Sequence, residues 1–206
     1  MIGDWPSALR RGLAELRYVT SLRVLPWRVA WFQWHAHRLA RRSGDQFSLT
    51  SATRAGDLAV LLELAGKRRR VVELGTGTAW TALAFALDDP QREVITYDPV
   101  MRTERDRYLE LVDPRVRGRI TLVCAPGSSG PTDGRAIELL YIDSSHARDD
   151  TIAELHAWRA ALAPGALVVF DDYTHPGYPG VREAVRELGL SGTQRGTLFV
   201  YEVTRG

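Results

Sequence analysis

The segment Glu73-Leu74-Gly75-Thr76-Gly77-Thr78-Ala79 has the composition of a ligand-binding turn. Glycines where a strand passes into a helix let backbone N–H groups approach a ligand that larger side chains would hold off. Asp98 follows 23 residues after Gly75, at the end of the next apolar run. A carboxylate there can accept both hydroxyls of a ribose, as in adenosine binding by doubly wound sheets. Two glycines alone fit an empty tight turn equally well. The acid at the neighbouring strand terminus turns the reading toward a nucleotide or adenosyl group.

A second set of residues could hold a cation and move a proton. Tyr141-Ile142-Asp143-Ser144-Ser145-His146 and Val169-Phe170-Asp171-Asp172-Tyr173-Thr174-His175 each close an apolar run with acids. Carboxylates crowded at adjacent strand ends repel one another unless a cation or protons neutralise them. All-oxygen ligation suits Mg²⁺, and less often Ca²⁺ or Mn²⁺. The alternative is that Asp171 caps a turn and Asp143 meets a ligand amine without metal. A histidine titrating near neutrality serves as a proton acceptor. His146, three residues past Asp143, is the first choice for that role, and His175 in the loop 174–180 the second. Either is equally readable as a surface or capping histidine.

Positioning such groups requires strands that end together. Val71–Leu74, Glu93–Tyr97, Arg119–Val123, Ile137–Ile142, Ala166–Phe170 and Thr197–Val203 read as strands, with Pro164-Gly165 opening the fifth. Helical patterns fill the intervals: Ala79–Leu87, Arg102–Val112, Arg148–Leu162 and Val181–Leu188, with a further helix from Thr50 or Ser51 to Leu64 ahead of the first strand. This alternation predicts an α/β fold with a parallel, doubly wound sheet. Residues 1–48 carry no strand-like run and predict a helical cap, lid or dimerisation segment; residues 49–206 form the ligand-binding domain. Trp27, Trp31 and Trp34 share one helical face, expected to pack on the sheet domain or on a second copy, which would make a homodimer. A lid over an acceptor and an interfacial membrane helix are the other readings of that segment.

Composition bounds the rest. The formal net charge of +2 gives no electrostatic case for a nucleic-acid partner. Cys124 stands alone, so no intrachain disulfide forms. Met1-Ile2-Gly3-Asp4 has no basic stretch leading into an apolar one, and apolar runs fall short of the ~20 residues of a spanning helix. A cytoplasmic protein is expected, with membrane association disfavoured.

Val71-Val72-Glu73-Leu74-Gly75-Thr76-Gly77-Thr78 resembles motif I of class I S-adenosylmethionine-dependent methyltransferases, in which an acid precedes the first glycine as Glu73 does. The motif's third glycine is replaced by Ala79, small enough to keep the turn. Ile142-Asp143-Ser144-Ser145-His146, Pro164-Gly165-Ala166 and Phe170-Asp171-Asp172-Tyr173 further resemble the metal-assisted small-molecule O-methyltransferases of antibiotic pathways, and more distantly the catechol and caffeoyl-CoA enzymes. The resemblance runs from about Thr50 to Val203. It implies a seven-stranded Rossmann-like sheet with S-adenosylmethionine held by Glu73, Gly75, Thr76, Gly77, Thr78, Asp98, Pro99, Ala125 and Asp143. It also implies Mg²⁺ on Asp143, Asp171 and Asp172, with Asp143 and His146 at the reacting centre and a hydroxylated small molecule as acceptor. Catechol-type enzymes carry Asp-Asn where this chain has Asp171-Asp172. A nicotinamide-dependent oxidoreductase shares the Gly75/Asp98 logic. Against it stand Glu73, Trp80 in place of a third glycine, and the lack of a Tyr-x-x-x-Lys pair, since Lys67 is the only lysine. A non-catalytic adenosyl-binding protein is the remaining alternative.

Overall fold

A computed structural model of the chain describes residues 7–204; Met1-Ile2-Gly3-Asp4 therefore lies outside the described residues. Seven strands form one sheet: β1 (Arg70–Leu74), β2 (Glu93–Tyr97), β3 (Ile120–Val123), β4 (Ile137–Ile142), β5 (Leu162–Phe170), β6 (Thr193–Arg195) and β7 (Leu198–Glu202). Their order is β3-β2-β1-β4-β5-β7-β6. The first five run parallel, and β7 is antiparallel to both β5 and β6. All five residues of β1 are buried, as expected of a strand covered on both faces. This is a doubly wound, Rossmann-like sheet whose strand ends bring the glycine turn and the acidic loops to one edge.

Nine α-helices occur among the described residues. α1 (Ser7–Ser21), α2 (Trp27–Ser43), α3 (Gln46–Ser51) and α4 (Ala55–Ala65) precede the sheet. α5 (Trp80–Asp88), α6 (Glu104–Leu109), α7 (Pro114–Arg117), α8 (Arg148–Trp158) and α9 (Pro179–Glu187) connect its strands. Val71, Leu139, Tyr141 and Val169 pack on one face with residues of α2, α4 and α5, such as Phe32, Leu58 and Phe85. Val72, Leu140, Val168 and Phe170 pack on the other with Leu155 and Trp158 of α8 and Val181 and Val185 of α9. No helix of the described residues is long and apolar enough to cross a membrane.

Several expected boundaries move. The single helix expected from Thr50 or Ser51 is two, because Asp45 caps an earlier start, its carboxylate accepting the Ser48 N–H at 3.0 Å. The segment boundary at 48/49 consequently falls inside α3. The helix expected to run to Leu162 stops at Trp158, and β5 begins at Leu162, so Pro164-Gly165 lies within the strand. A register shift between Ile137 and Leu139 and a left-handed Gly165 (φ 77°) absorb the proline. β6 escaped the sequence reading because Thr-Gln-Arg is a three-residue edge with no apolar alternation. Its two-residue connection to β7 uses Gly196 at φ 62°, a conformation cheap only for glycine.

The tryptophan face is also corrected. α2 buries Val29, Phe32, Ala36 and Ala40, whose spacing forms the stripe laid against α5, where small alanines permit close approach. Trp27 and Trp31 turn outward, 73% and 48% exposed. The helix thus meets the sheet domain through Phe32, edge-on to Trp80 at 6.4 Å, and of the tryptophan row only Trp34 is partly buried against that core.

Candidate functional site

The glycine turn is shaped by what lies behind it. Gly75 has φ 106°, and a Cβ built on it would stand 1.9 Å from the Asp143 carbonyl oxygen. Asp143 N–H in turn donates to Leu74 O at 2.8 Å, so the β1 and β4 termini touch backbone to backbone. Gly77 has φ 50°, and Ala79, at φ 69°, takes a left-handed conformation at the start of α5 despite its Cβ. Glu73 points away from the cleft into the sheet, 1% exposed, and accepts a hydrogen bond from Thr96 Oγ1, which also pairs with Thr76 Oγ1 at 2.7 Å. Burial pushes the Glu73 carboxyl up to about 8.

Asp98 is tied to the glycine turn. Its Oδ2 accepts the Gly77 N–H at 2.9 Å and its Oδ1 the Val100 N–H at 2.8 Å. Arg105 of α6, 5% exposed, lies 3.3 Å from the same Oδ2 and donates from Nε and Nη2 to the Gly77 carbonyl at 3.1 and 2.9 Å. One guanidinium thereby holds the acid and the glycine turn in a fixed relation. The sequence reading missed Arg105; its signal is an arginine in the first turn of the helix that follows the strand-terminal acid.

A cleft of about 820 Å³ opens over these strand ends. Of the nine residues expected to contact the cofactor, Gly75, Gly77, Asp98, Pro99 and Asp143 line it. Glu73, Thr76, Thr78 and Ala125 stand behind the wall; next to Ala125, Pro126, Gly127 and Ser128 form it instead. Phe47 and Thr50 of α3 close the opposite side, with Arg102 stacked 3.6 Å over the Phe47 ring. The first helices are fastened to the turn by a buried polar chain. Ser48 Oγ meets Thr78 Oγ1 at 2.8 Å and donates to Asp45 Oδ2 at 2.7 Å, which also accepts from Tyr108 Oη at 2.5 Å.

The acids converge at the far end of the cleft. One ligand atom each from Asp143, His146 and Asp171 lies within 4.8 Å of the others. His146 Nε2 is 3.2 Å from Asp143 Oδ1 and 3.7 Å from Asp172 Oδ2, an ion-pair approach without hydrogen-bond alignment. His146 (φ 58°) and Asp172 (φ 50°) both hold left-handed backbones, the kind of strain that surrounding structure must maintain. Burial, then repulsion from Asp143 and Asp172, pushes Asp171 up to about 8, and burial likewise raises Asp143. Burial opposes a charged His146, but the facing carboxylates outweigh it and raise its pKa above the usual imidazole value. Tyr178 stacks on the His146 ring at 4.6 Å and lies 4.8 Å from His175, which accepts the Gly177 N–H at 3.1 Å and so faces its own loop.

A Rossmann-like sheet thus brings a glycine turn, a strand-terminal acid and clustered carboxylates to one edge, where folds of this class bind their ligands. The match is specific: residues 72–173 fit the family model described as a methyltransferase domain, and the chain carries a domain of that family. No curated protein matches the sequence. Solved structures match its fold. An O-methyltransferase from Bacillus cereus in complex with S-adenosylhomocysteine aligns over 91% of this chain and 96% of its own, at 12% identity and TM-score 0.70. The O-methyltransferase TomG of tomaymycin synthesis from Streptomyces achromogenes, in complex with S-adenosylmethionine, aligns over 98% and 100%, at 19% and 0.66. CalS11, a TDP-rhamnose 3′-O-methyltransferase of calicheamicin biosynthesis, aligns over 98% and 96%, at 17% and 0.59.

Proposed function

We propose that this methyltransferase moves the methyl group of S-adenosylmethionine to a hydroxyl of a small molecule, with Mg²⁺ assisting. The observation that carries the reading is the shared cleft: Gly77 and Asp98 line it on the β2 side and Asp143, His146 and Asp171 on the β4–β5 side, with Gly75 between them against the Asp143 backbone. With the ribose hydroxyls on Asp98, the sulfonium faces the β4 end. In the transfer the acceptor oxygen forms a bond to the methyl carbon as the carbon–sulfur bond breaks, and the sulfonium becomes a neutral thioether. The hydroxyl proton passes to His146 Nε2, the buried nitrogen without an aligned hydrogen bond. Asp143 and Asp172 then stabilise the imidazolium.

The donor set fits a divalent cation: Asp171 is held protonated-prone at about 8 by crowding and burial, a conflict that a bound cation relieves. Asp143 and Asp171 would hold it, with Asp172, expected as the third ligand, outside the group of atoms within 4.8 Å, and the cation's chemistry there is to lower the hydroxyl pKa and orient the oxygen. The outward cleft mouth, bounded by Thr50, Ser51 and Tyr178, leaves room for the acceptor.

Calorimetric titration with S-adenosylhomocysteine tests the cofactor assignment. Wild-type binding is expected, with Asp98→Ala weakening it about 100-fold, the ~3 kcal/mol of hydrogen bonds to a charged group left unmade. Absence of wild-type binding, with NADH binding in its place, would sink the reading. Chelation with EDTA is expected to abolish turnover on a hydroxylated acceptor while S-adenosylhomocysteine still binds; full turnover after chelation removes the metal from the scheme.

A further inference from the structure

The outward side of α2 presents a surface that methyl transfer leaves unused. Trp27, Trp31, Arg38 and Arg42 stand four, seven and four residues apart, opposite the buried stripe of Val29, Phe32, Ala36 and Ala40. α1 and the turn before α2 extend the patch. Of the eleven large apolar side chains exposed among the described residues, six fall within residues 13–31: Leu13, Leu16, Val19, Val24, Trp27 and Trp31. The exposed apolar surface is therefore concentrated here, and a concentration of that kind marks a contact face.

The same segment is one-sidedly basic. Residues 13–44 carry six arginines and a single acid, Glu15. Among the described residues Arg41 takes that acid at 3.0 Å, while Arg17, Arg23, Arg28, Arg38 and Arg42 pair with no carboxylate. Arg28 lies 5.3 Å from the Trp27 ring centre and Arg38 lies 4.7 Å from that of Trp34, so cations and indoles share one surface. The whole chain carries only +2, which conceals this local excess.

Charge and side-chain type together choose the occupant. An indole settles where its ring meets apolar matter and its N–H meets water. A guanidinium presents N–H donors matched to phosphate oxygens. A lipid surface with anionic headgroups answers both requirements at once. A second copy of this chain does not, because a two-fold axis would set the patch against itself, arginine facing arginine. The expectation against membrane association rests on the lack of a spanning run, and a contact confined to the headgroup layer needs none.

We propose that the outward face of α1 and α2 docks this enzyme on membranes bearing anionic phospholipid. Trp27 and Trp31 enter the headgroup layer, and Arg28, Arg38 and Arg42 meet its phosphates. No residue of α2 is among those lining the cleft, so docking is separable from cofactor binding.

Co-sedimentation with vesicles tests this on the intact chain. Wild type is expected to sediment with phosphatidylcholine–phosphatidylglycerol vesicles at low ionic strength, and ~10-fold or more weakly with phosphatidylcholine alone. Trp27→Ser with Trp31→Ser, and separately Arg38→Gln with Arg42→Gln, should each lower binding to the anionic vesicles ~10-fold or more. Both pairs lie on the outward side of α2, so thermal melting should stay at the wild-type value and mark each loss as a loss of docking. Equal binding to the two vesicle types, or full binding by the arginine pair variant, overturns the proposal. So does a wild type that stays in solution with both. A dimer seen by light scattering, and dissociated by Trp27→Ser with Trp31→Ser, would then assign the face to a second copy.

Discussion

Replacing His146 by alanine is expected to lower turnover by ~10²–10⁴-fold, the usual worth of a positioned proton acceptor, with S-adenosylhomocysteine affinity unchanged. The separation follows from geometry. His146 sits with Asp143 and Asp171 at the ends of β4 and β5, whereas Asp98 lies at the end of β2, on the far side of β1. The left-handed backbone at His146 (φ 58°) supplies a control. Asparagine tolerates that conformation better than most residues, so His146→Asn preserves the loop while removing the base. Matching losses in both variants, read from initial rates at saturating cofactor, assign the effect to the imidazole. Full turnover in His146→Asn would remove His146 from the reaction.

The second large effect is structural. Gly75→Ala is expected to leave no stably folded protein, a loss beyond about 4 kcal/mol. Two penalties combine there: the new Cβ would lie 1.9 Å from a backbone oxygen of Asp143, and φ 106° is strained for any L side chain. The obstructing atom is main chain, in a residue whose N–H is pinned to the Leu74 carbonyl, so it has no rotamer through which to yield. Thermal unfolding by circular dichroism reads the outcome. A Gly75→Ala protein melting near wild type would mean that the β1 and β4 termini do not meet as described.

How much of this was legible in the sequence depended on whether the signal was local. The β-branched cores of β1, β2 and β4, and the placement of Gly75, Asp98, Asp143 and Asp171 at strand ends, could be read because a parallel sheet forces buried strands to be apolar and leaves chemistry to their termini. Ala79 illustrates a substitution read correctly as small, in a turn that still demands φ 69°. What escaped had no local pattern. β6 is three polar residues paired on one side only. Trp27 and Trp31 share a helical face, but the period cannot say which of two apolar stripes turns inward, and the slimmer one of Val29, Phe32, Ala36 and Ala40 won. Arg105 acts on Gly77 across a separation of 28 residues, and such a pairing exists only once the chain is folded.

The chain of hydroxyls and carboxylate from Tyr108 through Asp45 and Ser48 to Thr78 bears on how such an enzyme changes its substrate over evolutionary time. Its members come from three separate stretches of the chain, and the carboxylate at its centre is 8% exposed. Swapping the leading helices for those of a relative, as a recombination event or an engineered chimera would do, strands a charged group unless its partners travel too. New acceptor preferences are therefore inherited most cheaply by point changes on the exposed rim, at Phe47, Thr50 or Tyr178, and whole-segment exchange is confined to donors that already carry the matching quartet.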